Sequence, residues 1–568
     1  MSKIKCCSLG GVQENGKNLY IVEVDSNIFI LDAGSKTPSL ELHGVDMIVP
    51  DITYLVENKE RVKGLFLTHA HDHHIGSVYQ IISTIGCKVY GSRFTLAVLK
   101  DKLAIDNVKY DESLLVEVKT RSSINFGNVK VRFFELAHNI PDNCGISILT
   151  EDGNIVYTGN YNFDQNAKVD YSSMFRNLGI LAKEGVVALL TESLGADNTQ
   201  NRGNILEFKT RMKSILRENS GRIIYSLYSD DILRIQQIVS LAVENDKKIA
   251  IIGLKTQRLL NKAIELGYLN IPKENLVSLK FIDDNNQNND DNLIVLVTGE
   301  RHEPFYMLQR MSRQIDRLIH LEKTDTIVVL TNPLVGTEKI SARTLDMIYN
   351  VTSNVYTFKK ELLPPANASR EEIKQMINIL NPTYIIPVIG EFRHQDACAV
   401  VADCLGYDDD HIIVLDQGFF VQFDGGKYTG FSDRIEVGEV MLDGRAFGNI
   451  GDVVMKDREL LANDGVLIIS ANINPKNKRI VCGPEIITKG FLYENDQNNI
   501  TENIIKMFFL VSERFLSQRF INWSEYKNAI KNDISTLLYK TIKRNPIIIP
   551  VLISTDVDCL HQKLEENK

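Results

Sequence analysis

The segment GLFLTHAHDHHIGS, residues 64–77, constrains this chain more than any other. An apolar run ends at Leu67 and helical spacing begins near Ile75, so the loop between them places His69, His71, His73 and His74 at the mouth of a buried strand. The chain has 11 histidines, and four of them fall within these six positions. Imidazole is the commonest metal-binding side chain, and close packing gives no reason to crowd it. The pattern points to a metal site, present or ancestral. A solvated polar loop is the bland alternative, and it leaves the strand-capping position unexplained.

The rest of the chain supplies a frame for that loop. Its 568 residues exceed what one hydrophobic core organises, so two to four domains are expected. Short apolar runs at Tyr20–Val24, Ile28–Leu31 and Gly64–Leu67, with a helix over Ile75–Ile85, predict a sandwich with helices outside. From about residue 205 the rhythm becomes strand–helix–strand. Strands are expected at Ile223–Leu227, Lys248–Gly253, Leu293–Val297, Thr326–Leu330 and Asn354–Phe358. Ile232, Ile235, Ile238, Val239 and Ala242 recur at helical spacing after the first of them. This is an open α/β domain whose ligand edge should lie at the strand C-termini. After about residue 450 the strands Leu467–Ser470, Ile480–Val481 and Pro546–Ile553, with two helical stretches between 500 and 541, predict a small α+β domain. The polar run Asp283–Asp291 is expected to be a flexible loop, and there is no internal repeat.

Composition narrows the partners. The net charge of -9 excludes overall attraction to nucleic acid, so any RNA contact needs a local basic groove. The cysteines at 6, 7, 87, 144, 398, 404, 482 and 559 form neither zinc-type C-x-x-C pairs nor a dense disulfide framework. Reduced thiols, no signal-like N-terminus and no apolar run of roughly 18 residues predict a cytoplasmic protein away from membranes.

The flanks of the histidine loop make a resemblance specific. H-x-H-x-D-H marks the metallo-β-lactamase fold. The stretch from GKNLYIVEVD to THAHDHHIG, together with IPDNCGISI, IPVIGEFRH and VCGPEIITKGF, resembles the ribonuclease J family over nearly the whole chain. The resemblance implies an α/β architecture: a metallo-β-lactamase αββα sandwich with an inserted β-CASP α/β domain and a C-terminal α+β domain. The expected boundaries are 1–205 for the first part of the sandwich, 206–365 for the β-CASP domain, 366–450 for the return segment and linker, and 451–568 for a C-terminal oligomerisation domain.

Active relatives hold two metal ions that activate a hydroxide and clamp a phosphodiester. The resemblance places metal ligands at His69, His71, His74 and His138, the last within HNIPD. It places catalytic positions at Asp32, His73, Asn160, Glu192 and Asn367. It assigns the RNA-phosphate turn to Pro365, Ala366, Asn367, Ala368 and Ser369. Several positions depart from the family pattern. The motif aspartate has become His73, with Asp72 one position early. The bridging aspartate of T-G-D has become Asn160, the late histidine of P-V-H-G-E has become Ile389, and G-H-A-S has become Ala366–Ser369.

Electrostatics sets the consequence. Two divalent ions about 4 Å apart repel by roughly 17 kcal/mol at an effective dielectric of about 20. Carboxylates normally offset this, and both ligating carboxylates are gone. The expectation is at most one ion, zinc or manganese, or none. Such departures resemble the second ribonuclease J paralogue of Gram-positive cocci. That resemblance implies 5′-monophosphorylated single-stranded RNA as substrate class, a paralogous ribonuclease J subunit as partner, and a homo-dimer or hetero-oligomer. It also implies roles in messenger RNA decay and ribosomal RNA maturation. Two readings stay open: an impaired subunit acting with its active paralogue, or a weak single-metal ribonuclease.

Other features carry less. Arg310, Arg313 and Arg317 fall at helical spacing and suggest either a basic RNA-facing stripe or an exposed helix face. Arg301 and His302 replace small residues in a loop that faces the substrate channel in the family. His394 is expected to bond at a helix start, and His43, His320, His411 and His561 to be structural. Trp523 is expected to be a packing anchor. The strand Pro546–Ile553 needs cover along its edge, from its own domain or from a partner.

Overall fold

The computed structural model describes every residue except 40–41, 120–121, 164–170, 199–204, 253, 278–291, 335, 359–362, 364–365, 444–450, 492–496 and 556–568. The polar run Asp283–Asp291, Pro365, Cys559 and His561 therefore lie outside the described residues. The chain divides into two units. The larger comprises 1–37 and 47–445, and the smaller comprises 38–46 and 446–568.

The larger unit is built on two facing sheets. The first has eight strands, with Lys3–Gly10, Leu19–Val24, Asn27–Leu31 and Val62–Phe66 adjacent at its centre. The second has six, in the order Tyr384–Val388, Val186–Glu192, Gly153–Tyr157, Cys144–Thr150, Val129–Glu135 and Ser123–Phe126. Leu19–Val24 is buried along its whole length, as a continuous apolar run requires when both faces are covered. Tyr20, Val22, Phe29 and Phe66 of the first sheet meet Val131, Phe133, Ile146 and Ile386 of the second in one core. Helices pack on the outer faces, among them Val78–Thr84 and Arg93–Ile105 on one side and Tyr171–Glu184 and Arg370–Leu380 on the other.

Val186–Glu192 and Tyr384–Val388 pair in parallel, so the long stretch between them leaves the sandwich and returns to it. Within that excursion lies a five-stranded, wholly parallel sheet ordered Lys248–Ile252, Leu293–Gly299, Ile223–Tyr228, Thr326–Val329 and Val355–Thr357. Its strands fall where the apolar runs predict. Ile232, Ile235, Ile238, Val239 and Ala242 are the buried stripe of helix Ile232–Glu244, whose first turn is capped by Asp231 accepting from Arg234 N.

One expectation fails here. Arg310, Arg313 and Arg317 do not share a helix face, because helix Glu303–Ser312 stops before Arg313. Gln314 takes φ +60, and Asp316 turns back to pair with Arg310 at 3.1 Å. The sequence keeps the helical spacing, but the left-handed residue ends the helix.

The smaller unit has a three-stranded sheet ordered Arg479–Lys489, Val466–Asn474 and Ile547–Ser554, packed on helices Gln497–Leu516 and Trp523–Ile542. Trp523 packs against this core beside Tyr526. Ile547–Ser554 pairs with the central strand along one edge, and no strand meets its other edge among the described residues.

The parallel sheet contains a fully buried ion pair. Arg222 donates to Asp325 through Nε at 3.0 Å and Nη2 at 2.6 Å, and also to the His320 carbonyl at 2.7 Å. Removing one partner of such a pair leaves a buried charge uncompensated and costs about 3–5 kcal/mol. Asp325→Ala should therefore lose about that much in urea unfolding. The double replacement Arg222→Met with Asp325→Leu should lose clearly less. Equal losses would show that the pair is not the determinant.

Candidate metal centre

The histidine loop is held from beneath by close backbone contact. Asn18 donates to the His73 carbonyl from its backbone N at 3.1 Å and from Nδ2 at 3.0 Å. Ala33 N donates to the His74 carbonyl at 2.8 Å. A Cβ at Gly34 would sit 1.7 Å from the His73 carbonyl oxygen, so only glycine admits this approach. His69, His71, His74 and His138 are all buried, whereas His73 is partly open.

Second partners fix the ring tautomers. Thr68 Oγ1 gives its proton to Asp32, at 2.9 Å from Oδ2, and so accepts from His69 Nδ1 at 3.0 Å. That leaves a lone pair on His69 Nε2. The Ala366 carbonyl can only accept, so His138 Nδ1 donates to it at 2.9 Å and His138 Nε2 is likewise bare. Both bare nitrogens face His71 Nδ1, at 3.0 and 3.4 Å. One candidate ligand atom from each of His69, His71 and His138 lies within 4.8 Å of the others. His71 Nε2 is buried without a hydrogen-bond partner. This donor set fits a cation of the zinc type, which three imidazoles suffice to hold.

A second trio, His69, His73 and His74, is equally close but less available. His74 Nδ1 meets Asp32 Oδ2 at 2.6 Å, and His74 Nε2 meets Asn160 Oδ1 at 2.6 Å. Asn160 Nδ2 donates in turn to Glu192 Oε2 at 2.6 Å, which fixes the orientation of the amide. Glu192 Oε1 accepts from Tyr161 N and Ala368 N, both at 2.8 Å. A buried chain thus runs Asp32–His74–Asn160–Glu192, and both nitrogens of His74 belong to it.

Asp32, at φ +57, is fully buried and also accepts from Thr68 N and Tyr157 Oη, both at 2.8 Å. Asp72 points outward and pairs with Lys102. Ile389 is buried at φ +53. Ala366 and Ala368 touch the site through their backbones, Asn367 is half-buried beside them, and Ser369 caps helix Arg370–Leu380. His394 accepts from Glu391 N at 3.1 Å, the expected helix-start bond. His320 bonds the Asp316 carbonyl, and His411 pairs with Asp408. Arg301, at φ +50, and His302 lie between strand Leu293–Gly299 and the helix that follows. The sequence analysis does not single out Thr68, Tyr157, Asn18 or Asn162, whose Nδ2 also donates to the Ala366 carbonyl at 3.0 Å. Only Thr68, immediately before the motif, offered a signal.

Residues 13–171 match the metallo-beta-lactamase superfamily and 220–348 the ribonuclease J beta-CASP domain. Residues 366–408 match the Zn-dependent metallo-hydrolase RNA specificity domain and 453–555 the ribonuclease J C-terminal domain. Ribonuclease J 2 of Staphylococcus epidermidis is 35% identical over 553 residues, covering 97% of this chain and 98% of that protein. Ribonuclease J2 of Bacillus subtilis is 34% identical over 552 residues, with the same coverage. The chain belongs to the ribonuclease J family. It has the family's metallo-β-lactamase, β-CASP and C-terminal domains. A crystal structure of a protein of unknown function from Enterococcus faecalis superposes with a TM-score of 0.52 at 13% identity, over 74% of this chain and all of that one, and bears on the fold alone. No helix among the described residues is long and apolar enough to cross a membrane.

In this ribonuclease J family member the converging imidazoles His69, His71 and His138 favour the neutral form. Burial, with neighbouring imidazoles, keeps His69 and His138 well below the usual histidine range. Burial lowers His71 to about 4. Burial raises Glu192 to about 7 against the pull of its three hydrogen bonds. These shifts set the pH dependence of the metal-free chain. An imidazole at 6.5 when unfolded and about 4 when folded contributes stability above pH 6.5 that is lost as pH falls toward 4. For His71 that is about 3 kcal/mol. Glu192 acts in the opposite sense: its contribution is complete below 4.5 and fades as pH rises to about 7. Asp230, which burial raises to about 6, acts with Glu192, and the lowered imidazoles His69, His71, His73 and His138 outnumber these two carboxyls. The urea midpoint of EDTA-treated protein should therefore fall between pH 6.5 and 4.5, and a level or rising midpoint would contradict these assignments.

Proposed function

We propose that this chain is a ribonuclease J-type RNA-processing subunit whose own hydrolytic site is impaired, and that it acts with an active paralogue in the cytoplasm. The observation that carries this reading is Asn160. Its amide joins His74 at 2.6 Å and Glu192 at 2.6 Å, at the position where the family's bridging carboxylate belongs. A neutral side chain engaged at both ends offers no charge to offset a second cation. The site would hold at most one ion, zinc or manganese, on His69, His71 and His138. A bound ion of this kind supplies Lewis acidity toward a phosphodiester.

The chain's own residues do the rest. Thr68 and the Ala366 carbonyl orient the imidazoles, Asp32 anchors Thr68 and His74, and Glu192 ties Asn160 to the 366–369 turn. That turn, with Ala366, Asn367, Ala368 and Ser369, would meet the phosphate of single-stranded, 5′-monophosphorylated RNA. Asn367 would stand where the family has a histidine that serves the chemistry. The C-terminal unit, with Ile549, Val551 and Ile553 exposed on its outer strand, would meet a partner subunit. A second reading, weak cleavage by a single-metal site, is supported by the converging trio His69, His71 and His138, in which the tautomers of His69 and His138 are fixed.

Full-length protein incubated with 5′-monophosphorylated RNA should cleave at least about a hundredfold more slowly than an intact family member, the scale on which removing transition-state stabilisers acts. Cleavage at matching rates would defeat the impaired-subunit reading. The combined change His73→Asp, Asn160→Asp, Asn367→His and Ile389→His should raise both metal content and cleavage. If neither rises, the ligand positions are wrongly assigned.

A further inference from the structure

We propose that the imidazole nest is a nitrogen-only site that takes zinc-class dications and turns away manganese and magnesium. The inference rests on the one-ion reading above and adds the identity of the ion. It follows from where the nearby oxygen donors point. Asp32 has its two oxygens committed to Thr68, His74 and Tyr157. Glu192 is enclosed by Asn160, Tyr161 and Ala368. Asp72 is turned to Lys102. Asn160 Oδ1 is occupied by His74. Among the described residues no carboxylate joins either group of converging candidate ligands.

What remains among the converging side chains is imidazole nitrogen, with the Asp230 backbone beside His71. His69 Nε2 and His138 Nε2 present lone pairs toward His71, and their opposite nitrogens are fixed by Thr68 and Ala366. Imidazole suits zinc, copper and nickel. Carboxylate, carbonyl and water oxygens suit manganese and magnesium, which also require octahedral shells. Loss of the family's carboxylates therefore changes which metal is taken as well as how many.

The test uses the full chain stripped with EDTA and titrated separately with zinc and with manganese. Elemental analysis reads equivalents per chain, and thermal unfolding reads the shift in midpoint. One equivalent of zinc should bind and raise the midpoint, with manganese weaker on the order of a hundredfold or more. His73→Asp combined with Asn160→Asp returns oxygen donors and should narrow that ratio at least about tenfold. One equivalent of either metal at matched affinity in the unmodified chain overturns the selectivity and leaves the one-ion reading standing. Two equivalents of zinc overturn the one-ion reading itself. No zinc uptake overturns the proposal while leaving the impaired-subunit reading intact.

Discussion

Asn160 bridges His74 and Glu192, and the character of the site depends on that neutral amide. With a carboxylate there, His74 would neighbour a charge able to sit between two cations. With an amide, both nitrogens of His74 are engaged in a chain from Asp32 to Glu192, although its ring stays 4.1 Å from that of His69. Each link is buried, so each bond acts in a low-dielectric setting where an unmade bond is costly. The result is a division of labour among five histidines. His69, His71 and His138 converge, His74 braces, and His73 is left partly open.

The backbone beside this nest holds a strained residue. Ile389 sits at φ +53, a conformation that costs a β-branched residue on the order of 1–2 kcal/mol. It stays there because neighbouring contacts fix it. Ser193 donates to its carbonyl from N and Oγ, Glu14 N donates to the carbonyl of Gly390, and its own N donates to Tyr20 Oη. The inserted α/β region is tied to the same place. Leu233 N, at the start of helix Ile232–Glu244, donates to the Asn139 carbonyl next to His138. The strand-end loop after Ile223–Tyr228 therefore borders the imidazoles, as expected of the carboxyl edge of a parallel sheet.

Much of this is legible in the sequence. Continuous apolar runs such as Leu293–Val297 and the helical stripe of Ile232–Ala242 marked their elements, because two-sided burial and one-sided burial leave different periods in the sequence. The histidine loop declared the site. The stripe through Arg317 misled, because spacing records a period and not the left-handed residue at Gln314 that ends the helix. The roles of Tyr157 and Asn18 were invisible, since Tyr157 reaches Asp32 across 125 residues and Asn18 reaches His73 across 55. Which nitrogen of each imidazole is bare depends on partners such as the Ala366 carbonyl, 228 residues from His138, and no local pattern encodes that.

The central claim is that the nest, without carboxylate ligands, cannot keep two cations together. Anomalous diffraction at the zinc edge from crystals of the full chain grown in excess zinc tests it most directly. A single peak among His69, His71 and His138 is the result this account predicts. Two full peaks about 3.5–4 Å apart, with His74 released from Asn160, would contradict it.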